Sequence, residues 1–279
     1  MKLAGRVAIV TGTSPNIGGG IAEGLAAEGA DVACVDRDPR NAEECAAAIR
    51  ALGRRALGVV ADVTVQDSVE DAVRRTTDAL GPVDVLVNNA AIFDQQGVLD
   101  MDLARWRRQL AVILDGTFLC TQVVARQMVE RRRGGAIINI ISTAGHQGQP
   151  RNVGYCTAKA GLLNFTRSVA MELAVYGIRV NSLTPTATDP RESLERAVRW
   201  GRERPSDAIV AIFEPFRRYV PMQSLPTPTD YGKAAAFLAS DDARFMTGAD
   251  LRVDAGAVAR YWAWNPADAG AKPEPERER

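Results

Sequence analysis

Residues 6–28 read RVAIVTGTSPNIGGGIAEGLAAE, and this stretch decides the fold. Arg6–Val10 is a short run of β-branched and small apolar side chains, the pattern of a strand buried on both faces. Thr11-Gly12 ends the run, and the Ala-rich segment Ile17–Glu28 reads as a helix that stops at Gly29. A strand turning directly into a helix presents backbone N–H groups and the positive end of the helix dipole to an anion. Gly12 and Gly18 allow a pyrophosphate to approach the backbone closely. Gly12, Ser14, Asn16, Ile17 and Gly18 are therefore candidate phosphate contacts.

The same alternation continues outward. Strand signals fall at Asp31–Val35, Ala56–Ala61, Val83–Val87, Ala136–Ile141 and Ile178–Leu183. Helical patterns fall between them, at Asn41–Leu52, Gln66–Leu80, Asp102–Glu130 and Val153–Val175. Repeated strand–helix units predict right-handed crossovers and an α/β doubly wound parallel sheet, a Rossmann fold with helices on both faces. A chain of 279 residues suits one such domain, placed over 1–256. Two regions break the pattern. Residues 185–229 carry prolines 185, 190, 205, 215, 221, 226 and 228 together with Trp200, Phe213, Phe216, Tyr219 and Met222. That segment is too long for a plain connection and too apolar for a solvated linker, and it is read as a helical lid lined for an apolar substrate. Residues 257–279 form a C-terminal extension. Its Tyr261, Trp262 and Trp264 are expected to pack, with a neighbouring subunit as one option, and its end, PEPERER, to be disordered.

Composition narrows the chemistry. Lys plus Arg number 34 and Asp plus Glu 34, so the formal charge is zero, which argues against nucleic-acid binding driven by phosphate neutralisation. All but four of the basic side chains are Arg; the lysines are Lys2, Lys159, Lys233 and Lys272, and His146 is the sole histidine. Arg stays charged, whereas Lys and His exchange protons, so few nitrogen groups are available for acid–base work. Cys34, Cys45, Cys120 and Cys156 match no zinc spacing, and no metal is expected. No apolar run approaches the roughly 20 residues of a membrane-spanning helix. No signal peptide is visible at Met1-Lys2-Leu3, and a cytoplasmic protein with reduced thiols is expected.

Two further positions define a cofactor and a reaction. Asp36 ends the second strand signal, where a carboxylate accepts hydrogen bonds from ribose hydroxyls and repels a 2′-phosphate. This favours NAD over NADP, although the adjacent Arg37 is able to bind a phosphate. Tyr155 and Lys159 stand at i and i+4, on one helix face, and Ser142 ends the fifth strand signal at the ligand edge of the sheet. Hydride transfer at a carbinol carbon requires a proton to move at its oxygen. A phenol is a poor base at neutral pH; a nearby ammonium lowering its pKa by roughly 3 units supplies about 4 kcal/mol. Ser142 is placed to hold the same oxygen. His146 is a candidate substrate contact or loop cap, Trp200, Phe213 and Phe216 are candidate substrate-lining residues, and the Arg131–Arg133 run is read as a solvated helix end.

Taken together, these residues resemble the short-chain dehydrogenase/reductases, over about residues 4 to 256. Thr11-Gly12 through Gly18 looks like that family's Thr-Gly-x-x-x-Gly-x-Gly turn, and Asp62-Val63 like its adenine-contacting pair. Asn88-Asn89-Ala90-Ala91 is similar to its Asn-Asn-Ala-Gly segment, Asn181 through Pro185 to its sixth-strand exit, and Gly248 through Gly256 to its last strand. Ser142, Tyr155 and Lys159 match its catalytic Ser, Tyr and Lys. The resemblance implies a strand order 3-2-1-4-5-6-7 and cofactor contacts from Asn89, Ala90, Ala91, Pro185, Thr186 and Thr188, with Lys159 on the nicotinamide ribose. It also implies a homotetramer paired through the helices at Asp102–Glu130 and Val153–Val175. The chain departs from the pattern at four places. Asn16 replaces the middle turn glycine, tolerated on the expectation that Asn accepts a left-handed backbone. Ala91 and Thr186 replace glycines. Ile113 replaces an Asn that helps hold a water beside Lys. The leading expectation is an NAD-dependent oxidoreductase of a secondary alcohol or ketone, apolar or cyclic. A 3-oxoacyl-type ketoreductase and a nucleotide-binding regulatory protein with weakened catalysis stay open beside it.

Overall fold

The computed structural model describes residues 1–204, 206–261, 263 and 265. Pro205, and the readings made above of Trp262, Trp264 and the PEPERER end, lie outside the described residues. Seven parallel strands form one sheet in the order β3-β2-β1-β4-β5-β6-β7. They are β1 (Val7–Thr11), β2 (Asp31–Asp36), β3 (Ala56–Val60), β4 (Val85–Asn88), β5 (Gly135–Ile140), β6 (Ile178–Pro185) and β7 (Asp250–Val253). β1, β4 and the inner part of β5 are buried throughout, which is why they read as unbroken apolar runs rather than alternating ones.

The helices cover both faces. On one side lie α1 (Ile17–Ala27), α2 (Pro39–Ala51) and α9 (Pro228–Ala239); on the other lie α3 (Gln66–Leu80), α5 (Gly116–Arg131) and α6 (Val153–Leu173). Each layer closes its own core. Ile21, Leu25, Val32, Ile49, Tyr231 and Leu238 fill the first, and Val69, Val73, Val124, Met128, Ile137 and Val180 the second. Local signals set the helix starts. Asp38 accepts from the Arg40 N–H with Pro39 in the first turn of α2, and Thr227 and Asp230 form a reciprocal capping box at α9.

The helix expected over Asp102–Glu130 is divided by its own backbone. α4 (Leu103–Leu110) passes through a π turn, Ala111–Asp115, into α5. Ile113 sits in that turn, fully buried against Ile141, Ala158 and Leu162. Residues 185–229 contain α7 (Pro190–Arg199) and α8 (Ala208–Tyr219), and they differ in attachment: α7 buries Leu194, Arg196 and Ala197, whereas α8 buries none of its residues. Among the described residues, no helix is long and apolar enough to cross a membrane. Strand order reverses between β1 and β4, and in open α/β sheets the ligand crevice opens beyond the strand ends at that point.

Candidate active site

The crevice is a cavity of about 390 Å³ lined by residues from the ends of six strands, β1 to β6. Gly12 and Gly18 are required there by close approach. Gly12 has φ +72°, and a Cβ on it would stand 2.8 Å from Ala90 Cα. A Cβ on Gly18 would stand 1.9 Å from the Gly12 carbonyl oxygen. Any side chain at either position would therefore displace backbone. Asn89 binds the turn from below: its Nδ2 donates to the carbonyls of Thr11 (3.0 Å) and Gly12 (2.7 Å), while Thr11 Oγ1 accepts from the N–H groups of Asn89 and Ala90. One strand over, Asn88 Nδ2 donates to Asn139 Oδ1 (2.9 Å) and Asn139 Nδ2 to Thr166 Oγ1 (2.9 Å), tying β4 to β5 and α6.

The cavity wall contains Gly12, Ser14, Asn16, Ile17, Gly18, Asp36, Arg37, Asp62, Val63, Asn89, Ala90, Ala91, Ser142, Tyr155, Lys159, Pro185 and Thr186, all expected from the sequence. Thr188 is the exception. It is buried behind the wall, hydrogen-bonding the Thr186 carbonyl (3.3 Å) and the Tyr231 hydroxyl (3.4 Å). Asn16 is tolerated for a different reason from the one expected: its φ is −101°, so no left-handed backbone is asked of it. Asn41, Val112 and Ile92 also line the cavity and were missed, since no local pattern distinguishes them from ordinary helix and loop residues.

The donor chemistry fits a dinucleotide. A carboxylate, Asp36, stands at one end, a glycine turn at a helix start in the middle, and Tyr155 with Lys159 at the other end. Asp36 Oδ1 accepts from the Asp38 N–H at 2.9 Å. Asp62 is held below the usual carboxylate range by hydrogen bonds from the Thr64 hydroxyl and N–H.

At the far end, β5 stops at Ile140, two residues earlier than Ser142. Ser142 instead caps a short 3₁₀ turn, accepting from the Ala144 N–H at 3.2 Å. Its hydroxyl lies on the same cavity wall as Tyr155 and favours the ionised phenol. Burial pushes the Tyr155 phenol up to about 12, against the opposing pull of Ser142. Burial moves Lys159 the other way, down to about 7. Lys159 Nζ donates to the Ile140 carbonyl at 2.6 Å and lies 5.6 Å from the Tyr155 ring centroid. Burial thus holds the phenol above its ordinary value rather than below it, opposite to the expected direction.

Several other side chains stand away from the cavity, His146 in the loop-holding place that was one of its two expected roles. His146 Nε2 bonds Thr184 Oγ1 (3.2 Å), which donates to Asp250 Oδ1 (2.8 Å); with that hydroxyl proton spent, His146 is the donor. It thus fastens the loop after Ser142 to β6 and β7, and it is outside the cavity wall. Trp200 is a core residue: only 9% exposed, it lies flat on Gly19 and donates from Nε1 to Glu23 Oε1 at 3.0 Å. Phe213 packs toward Val220, Leu225 and Ala255, while Phe216 is 52% exposed on α8. Of the Arg131–Arg133 run, Arg132 and Arg133 are exposed as expected, whereas the Arg131 side chain is mostly buried and paired with Asp84 at 3.0 Å. Conversely, Phe93 meets the Tyr155 ring edge-on at 5.2 Å while staying exposed, a neighbour of the site that sequence reasoning passed over.

Comparison with known proteins agrees with this geometry. A family model described as enoyl-(acyl carrier protein) reductase matches residues 12–258. The chain is 40% identical to cis-4-hydroxycyclohexanecarboxylate dehydrogenase of Sinomonas cyclohexanicum, over 92% of this chain and 98% of that one. It is also 40% identical to the mitochondrial (-)-isopiperitenol/(-)-carveol dehydrogenase of Mentha piperita, over 91% and 94%. The crystal structure of an NAD+-bound xylitol dehydrogenase superposes with a TM-score of 0.81 at 32% identity, covering 91% of this chain and 99% of the other. The chain belongs to the short-chain dehydrogenase/reductase family and is an oxidoreductase of the alcohol–ketone type.

Proposed function

We propose that this protein is an NAD-dependent dehydrogenase of a secondary alcohol carried on an apolar, ring-shaped body, with Tyr155 as the proton-transfer group. The observation that carries this reading is the convergence of Ser142, Tyr155 and Lys159 at one end of a cavity whose other end is Asp36. Asp36 supports NAD: a 2′-phosphate beside its carboxylate would meet like charge. The xylitol dehydrogenase, a structural relative, binds NAD+. Exposed Phe93 beside Tyr155, with Ile92, Val112 and Ile141 in the wall, supports an apolar substrate. The cyclic alcohols in the names of the two relatives at 40% identity support the ring-shaped body.

The bound nicotinamide would accept the hydride from the carbinol carbon. The chain supplies the rest. Ser142 and Tyr155 hydroxyls hold the substrate oxygen, and Tyr155 Oη receives its proton during oxidation or gives one during reduction. With burial holding its pKa up at about 12, the Tyr155 phenol keeps its proton near neutral pH, the form that donates to a ketone. Lys159, when protonated, favours the phenolate that oxidation requires. The Ile113 side chain offers no hydrogen bond to a water there, so a water carrying the proton beyond Lys159 would have to be held by backbone carbonyls alone.

The test is turnover of a panel of cyclic secondary alcohols with NAD+ and with NADP+, in wild type and Tyr155→Phe. Wild type should reduce NAD+ preferentially, and Tyr155→Phe should lose about 10²- to 10⁴-fold in kcat. Reduction of 3-oxoacyl thioesters by NADPH with no alcohol oxidation would overturn the reading.

A further inference from the structure

Helix α7 is fastened to the nucleotide half of the molecule at three places. Ser193 Oγ donates to Asn16 Oδ1 at 3.0 Å. Glu23 of α1 collects Arg196 Nε (3.0 Å), Arg199 Nη2 (3.1 Å) and Trp200 Nε1 (3.0 Å). Just beyond α7, Arg202 donates from Nε to Glu44 (2.5 Å) and from Nη2 to Asn41 Oδ1 (2.7 Å) on α2. Arg196 is almost fully buried, so its pairing to Glu23 fixes α7 firmly. Two of the residues gripped, Asn16 and Asn41, belong to the wall of the nucleotide cavity itself.

Asn16 is the informative one. It is the N-cap of α1, where an Asn side chain ordinarily accepts from the second or third helical N–H. Here its side chain makes no such bond, and its oxygen takes the Ser193 hydroxyl instead. The Gly19 N–H donates to the Ser14 carbonyl instead (2.9 Å), so the cap is made by the phosphate turn itself and the Asn side chain is spent on α7. A glycine at this position would have nothing to offer α7.

We infer that Ser193 is a positioning residue which, through Asn16, latches helix α7 across the phosphate turn and sets the rate at which the dinucleotide leaves. The inference rests on the cavity being the dinucleotide site. Lifting the first turn of α7 away from the phosphate turn breaks the Ser193–Asn16 bond together with the hold of Glu192 on the Thr229 N–H (3.0 Å) and hydroxyl (2.7 Å), while the Glu23 cluster one turn further along keeps the rest of the helix in place.

The experiment is NADH release from the full-length protein, followed by fluorescence after mixing with excess NAD+. Ser193→Ala should release NADH about fivefold faster, the factor one hydrogen bond commands. Ser193→Thr, which keeps the hydroxyl, should stay within about twofold of wild type, and Ser193→Ala should add nothing to Asn16→Ala. Thermal melts of each variant separate this effect from a loss of fold, since a merely structural serine would lower Tm without moving the release rate. An unchanged release rate in Ser193→Ala, or additive effects in the double variant, would overturn the latch while leaving the cavity assignment standing. Failure of the wild type to bind either NADH or NADPH would overturn the cavity assignment and the latch with it.

Discussion

Tyr155 and Lys159 stand one helical turn apart, and burial moves them in opposite directions, the phenol up to about 12 and the amine down to about 7. The second shift has a consequence for stability. The unfolded Lys159 holds its proton to about 10.5, the folded one only to about 7. Between those values the unfolded chain binds a proton that the folded chain lacks, so this site's contribution to stability rises with pH across that window. Below pH 7 the ammonium is charged in both states and its burial cost stands in full. Lys159→Met removes that cost. Its Tm should exceed the wild-type Tm most at pH 6, with the gap narrowing by pH 9; a gap that widens toward pH 9 would contradict the assignment. The sequence placed Tyr155 and Lys159 on one face because i and i+4 spacing is local. It did not foresee the direction of the phenol's shift, because desolvation depends on Phe93, Ile113 and Ile141, which come together only in the fold.

At the scale of elements, legibility followed periodicity. α3 was readable to the residue, since Gln66–Leu80 keeps one apolar stripe between a loop and Gly81. The π turn at Ala111–Asp115 left no mark on the pattern, because one extra residue in a helical turn preserves apolar character while rotating the face. Segment 185–229 was recognisable as helical and apolar, but not which side chains it buries. Trp200 fits against α1 only because Gly19 has no side chain, a match between residues far apart in the chain. Trp200 and Phe216 were given the same role, and the structure separates them. Trp200→Ala, a core truncation, should cost about 3 kcal/mol, whereas Phe216→Ala on exposed α8 should stay within about 0.5 kcal/mol. Chemical denaturation of the two variants measures both. Equal, small losses would return Trp200 to the surface.

For the whole molecule, both faces of the sheet are closed by helices, yet apolar side chains remain outside. Phe118 on α5, Met171 on α6, and Val175 and Tyr176 just beyond α6 are exposed, Met171 at 78% and Val175 at 82%. Exposed apolar residues are ordinary on a protein surface, and α8 carries Ile209, Ile212, Phe216 and Tyr219 exposed as well; what sets Phe118 and Met171 apart is that their helices already give their inner faces to the sheet. The homotetramer expected from the family resemblance would give them a partner in a second copy of the chain. A tetramer would sediment at four times the 30.0 kDa of one chain. Met171→Glu with Val175→Glu places two carboxylates where a symmetric contact would bring each beside its own copy, so like charges would meet unpaired. The double variant should sediment as a smaller species, at unchanged secondary structure, because neither side chain belongs to the core of the single chain. A wild type that sediments at 30.0 kDa, or a double variant that keeps the wild-type mass, would place these residues on a free surface instead.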